Sequence, residues 1–226
     1  MKRKTTLAYF LLTVILLSGC SPDNESLSNS FSFSNDSEYN VTYNYTVSDY
    51  PVYKNAEELI TASDIVLTGK VTDIFFQMLD STTGLPPTDQ TEERNNELCT
   101  IYTVEVISTY KGDASEAVNI RTQGGLKDEY LDQQILALGE RASNGITVAQ
   151  DMPEIKIGET YLFSLRVFDG TDPCLMNPDQ GIIKVSELSE AVVKDEYGYI
   201  SAKDMISYFG EEKWSAFKSI NYIETE

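Results

Sequence analysis

Cys20, Cys99 and Cys174 are the only thiols in a chain of 226 residues that contains no histidine. The missing imidazole removes the Ser-His-Asp and Cys-His nucleophile systems, His-ligated zinc and haem, and proton transfer through a ring nitrogen. Chemistry is left to carboxylates, Lys, Tyr, Ser and the thiols. Ser215-Ala216-Phe217-Lys218 spells Ser-x-x-Lys, in which an amine serves as base to a hydroxyl. The companion Ser-Asp-Asn and Lys-Thr-Gly motifs are absent and the setting is a terminal amphipathic stretch, so a surface serine is expected. The loop 169–179 gathers Asp169, Asp172, Asp179 and Asn177, oxygen ligands of the kind Ca²⁺ takes. It departs from the EF-hand pattern, and in a chain with 36 acids such clusters arise by chance, so a turn-rich loop is expected in preference to a metal site. Nothing singles out one carboxylate pair for glycoside cleavage. No catalytic residue, cofactor ligand or metal ligand is therefore assigned, and a non-enzymatic protein is the expectation.

The N-terminus states more about location. Lys2, Arg3 and Lys4 precede the apolar run Leu7 to Leu17, eleven residues, too short to cross a hydrocarbon core of about 30 Å as a helix. Residues 1–19 therefore read as a secretion signal. Leu17-Ser18-Gly19-Cys20 directly after that run resembles the lipobox of bacterial lipoproteins. The resemblance implies that Cys20 is diacylglycerylated on sulfur, becomes the mature N-terminus, and fixes the chain to the cell membrane facing away from the cytoplasm. Two acyl chains anchor stably where one does so only marginally. Without the three basic residues of the signal, fourteen Lys and Arg stand against 36 acids, a net charge of −22. Phosphate backbones would be repelled, so no nucleic-acid partner is expected.

Residues 20–50 hold the lipidated cysteine and a Ser- and Asn-rich stretch without Lys or Arg, which shows neither helical nor sustained strand periodicity. A disordered tether is expected there. The text changes near Asn55, an N-cap residue followed by Glu57 and Glu58 and good helix formers, which predicts a short helix to Ala62. Asp64 to Leu79 predicts a long strand with Ile65, Leu67, Gly69, Val71 and Phe75 on one face and Ile74 on the other, Gly69 permitting a bend or bulge. Asp80 to Asn96 reads as an exposed loop. Ile101 to Tyr110 alternates with Tyr102, Val104, Val106 and Tyr110 together, and Lys111-Gly112-Asp113 makes a turn. Val118, Ile120 and Thr122 continue a third strand, Leu126 to Ala142 carries helical spacing, Glu159 to Phe168 is a fourth strand, and Gly181 to Val185 a fifth. Residues 201–226 read as one or two helices broken near Gly210.

These elements predict a mainly β domain over 51–200, an OB-fold-like barrel of five to six strands with flanking helices. Thr61 to Val71 (TASDIVLTGKV), Tyr102-Thr103-Val104-Glu105-Val106 leading to Tyr110-Lys111-Gly112, and Gly158 to Phe163 (GETYLF) resemble the OB-fold domain of tissue inhibitors of metalloproteinases and netrin-like modules. The similarity spans about residues 55–185. In those inhibitors a free N-terminal cysteine chelates the target's zinc. Here Cys20 lies about thirty residues before the domain, so that mechanism does not carry over. Family members are rich in disulfides, whereas only Cys99 and Cys174 remain here; a bridge between them and two separate thiols stay open as alternatives. The function expected is an extracytoplasmic binding module for a protein or envelope ligand, in the manner of a protease inhibitor or otherwise. The alternative is a carboxylate-based enzyme or sugar-binding accessory protein of cell-wall metabolism.

Overall fold

The computed structural model describes residues 41–223 except 48, 151, 186–191 and 196–197. The expected signal 1–19, Cys20 and the tether up to residue 40 lie outside the described residues. In chain order the elements are β1 (Tyr43–Thr46), α1 (Ala56–Ala62), β2 (Ile65–Asp80), β3 (Asn96–Lys111), β4 (Ala117–Gln123), α2 (Leu131–Leu138), β5 (Ile146–Ala149), β6 (Thr160–Arg166), β7 (Cys174–Leu175), β8 (Ile182–Lys184), β9 (Val192–Asp195), β10 (Gly198–Ser201), α3 (Ala202–Ser207) and α4 (Glu211–Ile223).

Asn55 is extended and its side chain accepts the Glu58 amide, which starts α1 at the position its sequence predicts. The chain then enters β2, which pairs antiparallel with β3, and β3 with β4. β4 meets β7 in the parallel sense, β7 meets β6, and β6 returns to β2. Five strands thus close on themselves, with α2 between the third and fourth, as an OB-fold-like barrel. β8 pairs with the part of β6 that runs beside β2.

Closure needs strongly coiled strands, and bulges supply the bend. Val66 and Leu67 face Lys111 and Thr109, Thr68 and Gly69 face Ser108 and Val106, and Val71 and Asp73 face Val104 and Thr103. Tyr110, Ile107 and Thr72 are therefore the extra residues. Each shifts the remainder of its strand to the opposite face, because side chains alternate with a period of two. Ile74, expected opposite Val71, joins it in the barrel interior with Leu67, Tyr102, Val104, Ile120, Phe163 and Leu165. Phe75, expected inside, packs instead with Leu79, Cys99 and Ile101. Tyr110 leaves the Tyr102 face and stacks on Phe209, ring centroids 5.8 Å apart.

A second cluster lies between strands and helices, joining Leu59 and Ile60 of α1, Val66, Leu162 and Ile183 of the strands, and Met205, Ile206 and Phe217 of α3 and α4. The C-terminal helices are thus built into the domain. Ser201 and Asp204 form a capping box at the start of α3, and Gly210 at φ 109° separates α3 from α4, where the break is expected.

β5, β9 and β10 have no counterpart in the sequence expectation, and three further stretches differ from it. Residues 43–46, expected in the tether, form β1, parallel to β5, and Val41 and Tyr43 pack on Leu98, Ile146 and Val148. Four residues are too few to register as periodicity, and their pairing partner lies about a hundred positions away. β3 begins at Asn96, five residues before the expected Ile101, because β2 continues to Asp80 and offers Gln77, Met78 and Leu79 as partners. Inside the expected 169–179 loop, Cys174 and Leu175 form β7, the short strand that closes the barrel.

Candidate functional site

The outward faces of the strands align in one cross-strand row: Phe75 opposite Ile101, Ile101 opposite Arg121, Arg121 opposite Cys174, and Cys174 opposite Arg166. Two connections flank it, residues 81–95 between β2 and β3 and residues 167–173 between β6 and β7. In OB folds, the sheet face bounded by these two loops is where extended ligands are held. Asp80 orders the first loop. Its Oδ1 accepts the Thr82 amide and hydroxyl at 2.8 and 2.6 Å, its Oδ2 accepts the Thr91 hydroxyl at 3.2 Å, and the Thr82 bonds hold its carboxyl below the usual carboxylate range.

Three clefts run along this face. One of about 330 Å³ is lined by Tyr50, Cys99, Arg121, Met152, Cys174 and Pro178. The second, about 520 Å³, lies between the loops, against Leu85, Pro86, Val167, Phe168, Asp169 and Asp172. The third, about 370 Å³, includes Asn44, Arg94, Asn96, Arg141 and Asn144, and shares Ser81, Glu97 and Gln123 with the first. Gln123 donates a short hydrogen bond to Glu97 at that junction. All three volumes lie within the range of small-ligand pockets, about 300–1,000 Å³.

Arg121 stands where the loops meet. Its Nε donates to the Asp172 carbonyl at 3.0 Å, and its guanidinium carbon lies 5.9 Å from the centre of the Phe168 ring. On the other side is the turn at Gly84, φ 70°, where a Cβ would sit 3.0 Å from Nη2. Arg94 pairs with Glu92, Arg141 with Glu93 and Arg166 with Asp64, but Arg121 makes no ion pair among the described residues. Arg94, Arg121, Arg141 and Arg166, four of the chain's five arginines, all belong to this one face. The rim is apolar as well: Leu85, Val167 and Phe168 are 45%, 41% and 50% exposed.

Burial pushes the Cys99 thiol up to about 12, with the Glu97 charge adding to the effect, and burial also raises Cys174. Both are neutral thiols at physiological pH and poor nucleophiles. They are unpaired. β4 runs between their strands, so two strand spacings, about 9–10 Å, separate the backbones, beyond the roughly 7 Å that a disulfide spans. Of the two alternatives left by the sequence, the fold contains separate thiols that line the same cleft. Desolvation raises Glu97 and Asp172, and the nearby Arg121 charge opposes it in both.

The other sequence candidates are distributed differently. Asn177 Oδ1 accepts the amides of Asp179 and Gln180 and its Nδ2 donates to the Pro51 carbonyl, so its amide is committed to the turn. Among the described residues no three metal-ligating side chains converge. Ser215 is exposed on α4, and Lys218 extends its ammonium over the Trp214 ring at 5.5 Å. Tyr102, Tyr161 and Phe163 fill the barrel interior. Sequence reasoning missed Arg121 and Phe168. The inward alternation of Val118, Ile120 and Thr122 turns Arg121 outward, yet nothing in that pattern sets it apart from any solvated arginine. The chain matches no protein-family model and no curated protein.

Proposed function

We propose that this chain is a lipid-anchored binding module outside the cytoplasmic membrane, which holds a protein or envelope ligand on the β3–β4 face between the 81–95 and 167–173 connections. The observation that carries the reading is Arg121, held by the Asp172 carbonyl and Phe168, making no ion pair among the described residues, and flanked by exposed Leu85, Val167 and Phe168. Arginine beside an aromatic ring and apolar rim is the composition of interface hot spots. The anchor rests on the lipobox at Leu17–Cys20. The likeness to metalloproteinase inhibitors supports a protein ligand and leaves any inhibition to the loops, since Cys20 lies about thirty residues before the domain instead of clamped against the barrel.

Two measurements test this. Labelled palmitate should enter the wild-type chain, and Cys20→Ser should abolish both labelling and membrane attachment; unchanged attachment refutes the anchor. The full chain in mild detergent should retain a saturable ligand from envelope and secreted fractions, and Phe168→Ala should release it. A profile equal to that of a charge-matched acidic protein refutes the binding reading.

A second reading, a carboxylate enzyme or sugar-binding accessory protein, draws on Glu97 and Asp172, two acids raised by desolvation on either side of Arg121. It requires that Glu97→Gln or Asp172→Asn abolish turnover of wall polysaccharide while leaving its binding intact. The acidic surface argues against nucleic acid as ligand.

A further inference from the structure

We propose that Arg121 is a carboxylate receptor and that its ligand is a peptide segment presenting a carboxylate beside an apolar side chain. The inference rests on the binding face proposed above and narrows what that face takes.

Bond geometry supports one carboxylate. Nε is already committed to the Asp172 carbonyl at 3.0 Å, which leaves the Nη pair of the guanidinium for a bidentate contact. The Phe168 ring at 5.9 Å and the Gly84 turn confine the guanidinium from two sides before a ligand arrives. A receptor group held in place loses less freedom on binding, so a larger share of the contact energy appears as affinity.

Charge narrows the ligand further. Arg94, Arg141 and Arg166 are ion-paired, whereas the Arg121 charge acts on Glu97 and Asp172 without an ion pair to either, which leaves its Nη pair open to an incoming anion. Glu97 and Asp172 lie close enough for the Arg121 charge to act on both, and they repel a ligand carrying several negative charges. A phosphate polymer or nucleic acid is disfavoured, and a single carboxylate fits. The cleft next to the guanidinium supplies the second requirement. Its wall carries exposed Leu85, Val167 and Phe168 beside Asp169 and Asp172, and these three apolar side chains are the surface that a hydrophobic side chain of the ligand would cover.

The test uses the full chain in mild detergent and follows the Arg side-chain Nε–H signals by NMR, a sparse set because the chain has five arginines. The probes are N-acetyl-phenylalanine as free acid, the same compound as its amide, and glucuronate. The free acid should shift Arg121 and the Phe168 backbone saturably, and bind about tenfold or more tightly than the amide or glucuronate. Arg121→Lys should weaken it about tenfold, because the ammonium keeps the charge and loses the fork. Arg121→Met should abolish it, with unchanged amide spectra elsewhere showing that the barrel remains; if that variant does not fold, Arg121→Lys and the amide probe decide. Equal binding of acid and amide, with Phe168 shifted and Arg121 unmoved, overturns the carboxylate inference and leaves the binding face standing. Glucuronate binding as well as the acetylated amino acid overturns the peptide assignment. No saturable shift at either residue overturns both.

Discussion

Gly69→Ala probes the barrel at its tightest point. An added Cβ would lie 2.3 Å from Val104 Cγ1 and 2.8 Å from the Glu105 carbonyl oxygen, beside the bulge that removes Ile107 from the ladder. Neither neighbour yields easily. Val104 is fully buried and stiff at χ1, and Glu105 belongs to the β2–β3 ladder. Overpacking of this kind costs about 1–3 kcal/mol, partly offset by about 0.4–1 kcal/mol from the reduced freedom of the unfolded chain. A net loss of about 1–2 kcal/mol is expected, or a fall in melting temperature of about 2–4 °C for each kcal/mol in a domain of this size. Val104→Ala alone should also destabilise, by about 2 kcal/mol, through the loss of two buried methyl groups and the space they leave. In the double variant the 2.3 Å clash disappears and only the carbonyl contact remains. The combined loss should therefore fall short of the sum by about 1 kcal/mol. Urea unfolding at constant m-value measures the three variants. Additivity to within about 0.5 kcal/mol would refute the packing argument.

Glu97→Gln should stabilise the protein at pH 7. Burial raises the Glu97 carboxyl above its ordinary 4.5, so ionisation is disfavoured in the fold; the relative stabilisation is full below the unfolded value and is lost as pH rises through the folded one. The gain of Glu97→Gln over wild type should shrink as the pH is lowered through this range, and chemical unfolding at neutral and acid pH checks it. Gln134→Leu should cost about 2–3 kcal/mol and expose the Leu126 amide to hydrogen exchange, because buried Gln134 bonds the Leu126 amide and carbonyl and the Glu129 carbonyl. Alkylation without reductant should modify Cys174 before Cys99 in the native protein and both after unfolding; a pair that reacts only after reduction would contradict the strand order.

Much of the fold can be read locally. Asn55 marks the start of α1 through an N-cap, Gly69 sits at a real bulge, and Gly210 separates two helices, because capping and turn chemistry depend on residues within one helical turn or one strand crossing. The face assignments of Phe75, Ile74 and Tyr110 failed for one reason. Bulges at Thr72, Ile107 and Tyr110 arise from closing the barrel, and no property of those residues announces them. β1 and β7 were invisible because short strands exist only by virtue of distant partners. The candidate site was the least legible part. Its central row joins residues 75, 101, 121, 174 and 166, and only register brings them together.

The amino-acid sequence by itself determined the class of architecture, since alternation, caps and turn residues act over a few positions and specify a mainly β domain with short helices. It also determined what chemistry the chain lacks, because absent histidine cannot be restored by folding. Tertiary structure alone decided that the C-terminal helices seal the same cluster as α1, that Cys99 and Cys174 are held apart by β4, and that Arg121 stands between two loops without an ion pair among the described residues. These outcomes depend on strand order and closure, which bring together residues far apart in the chain. Local patterns carry no record of such distances.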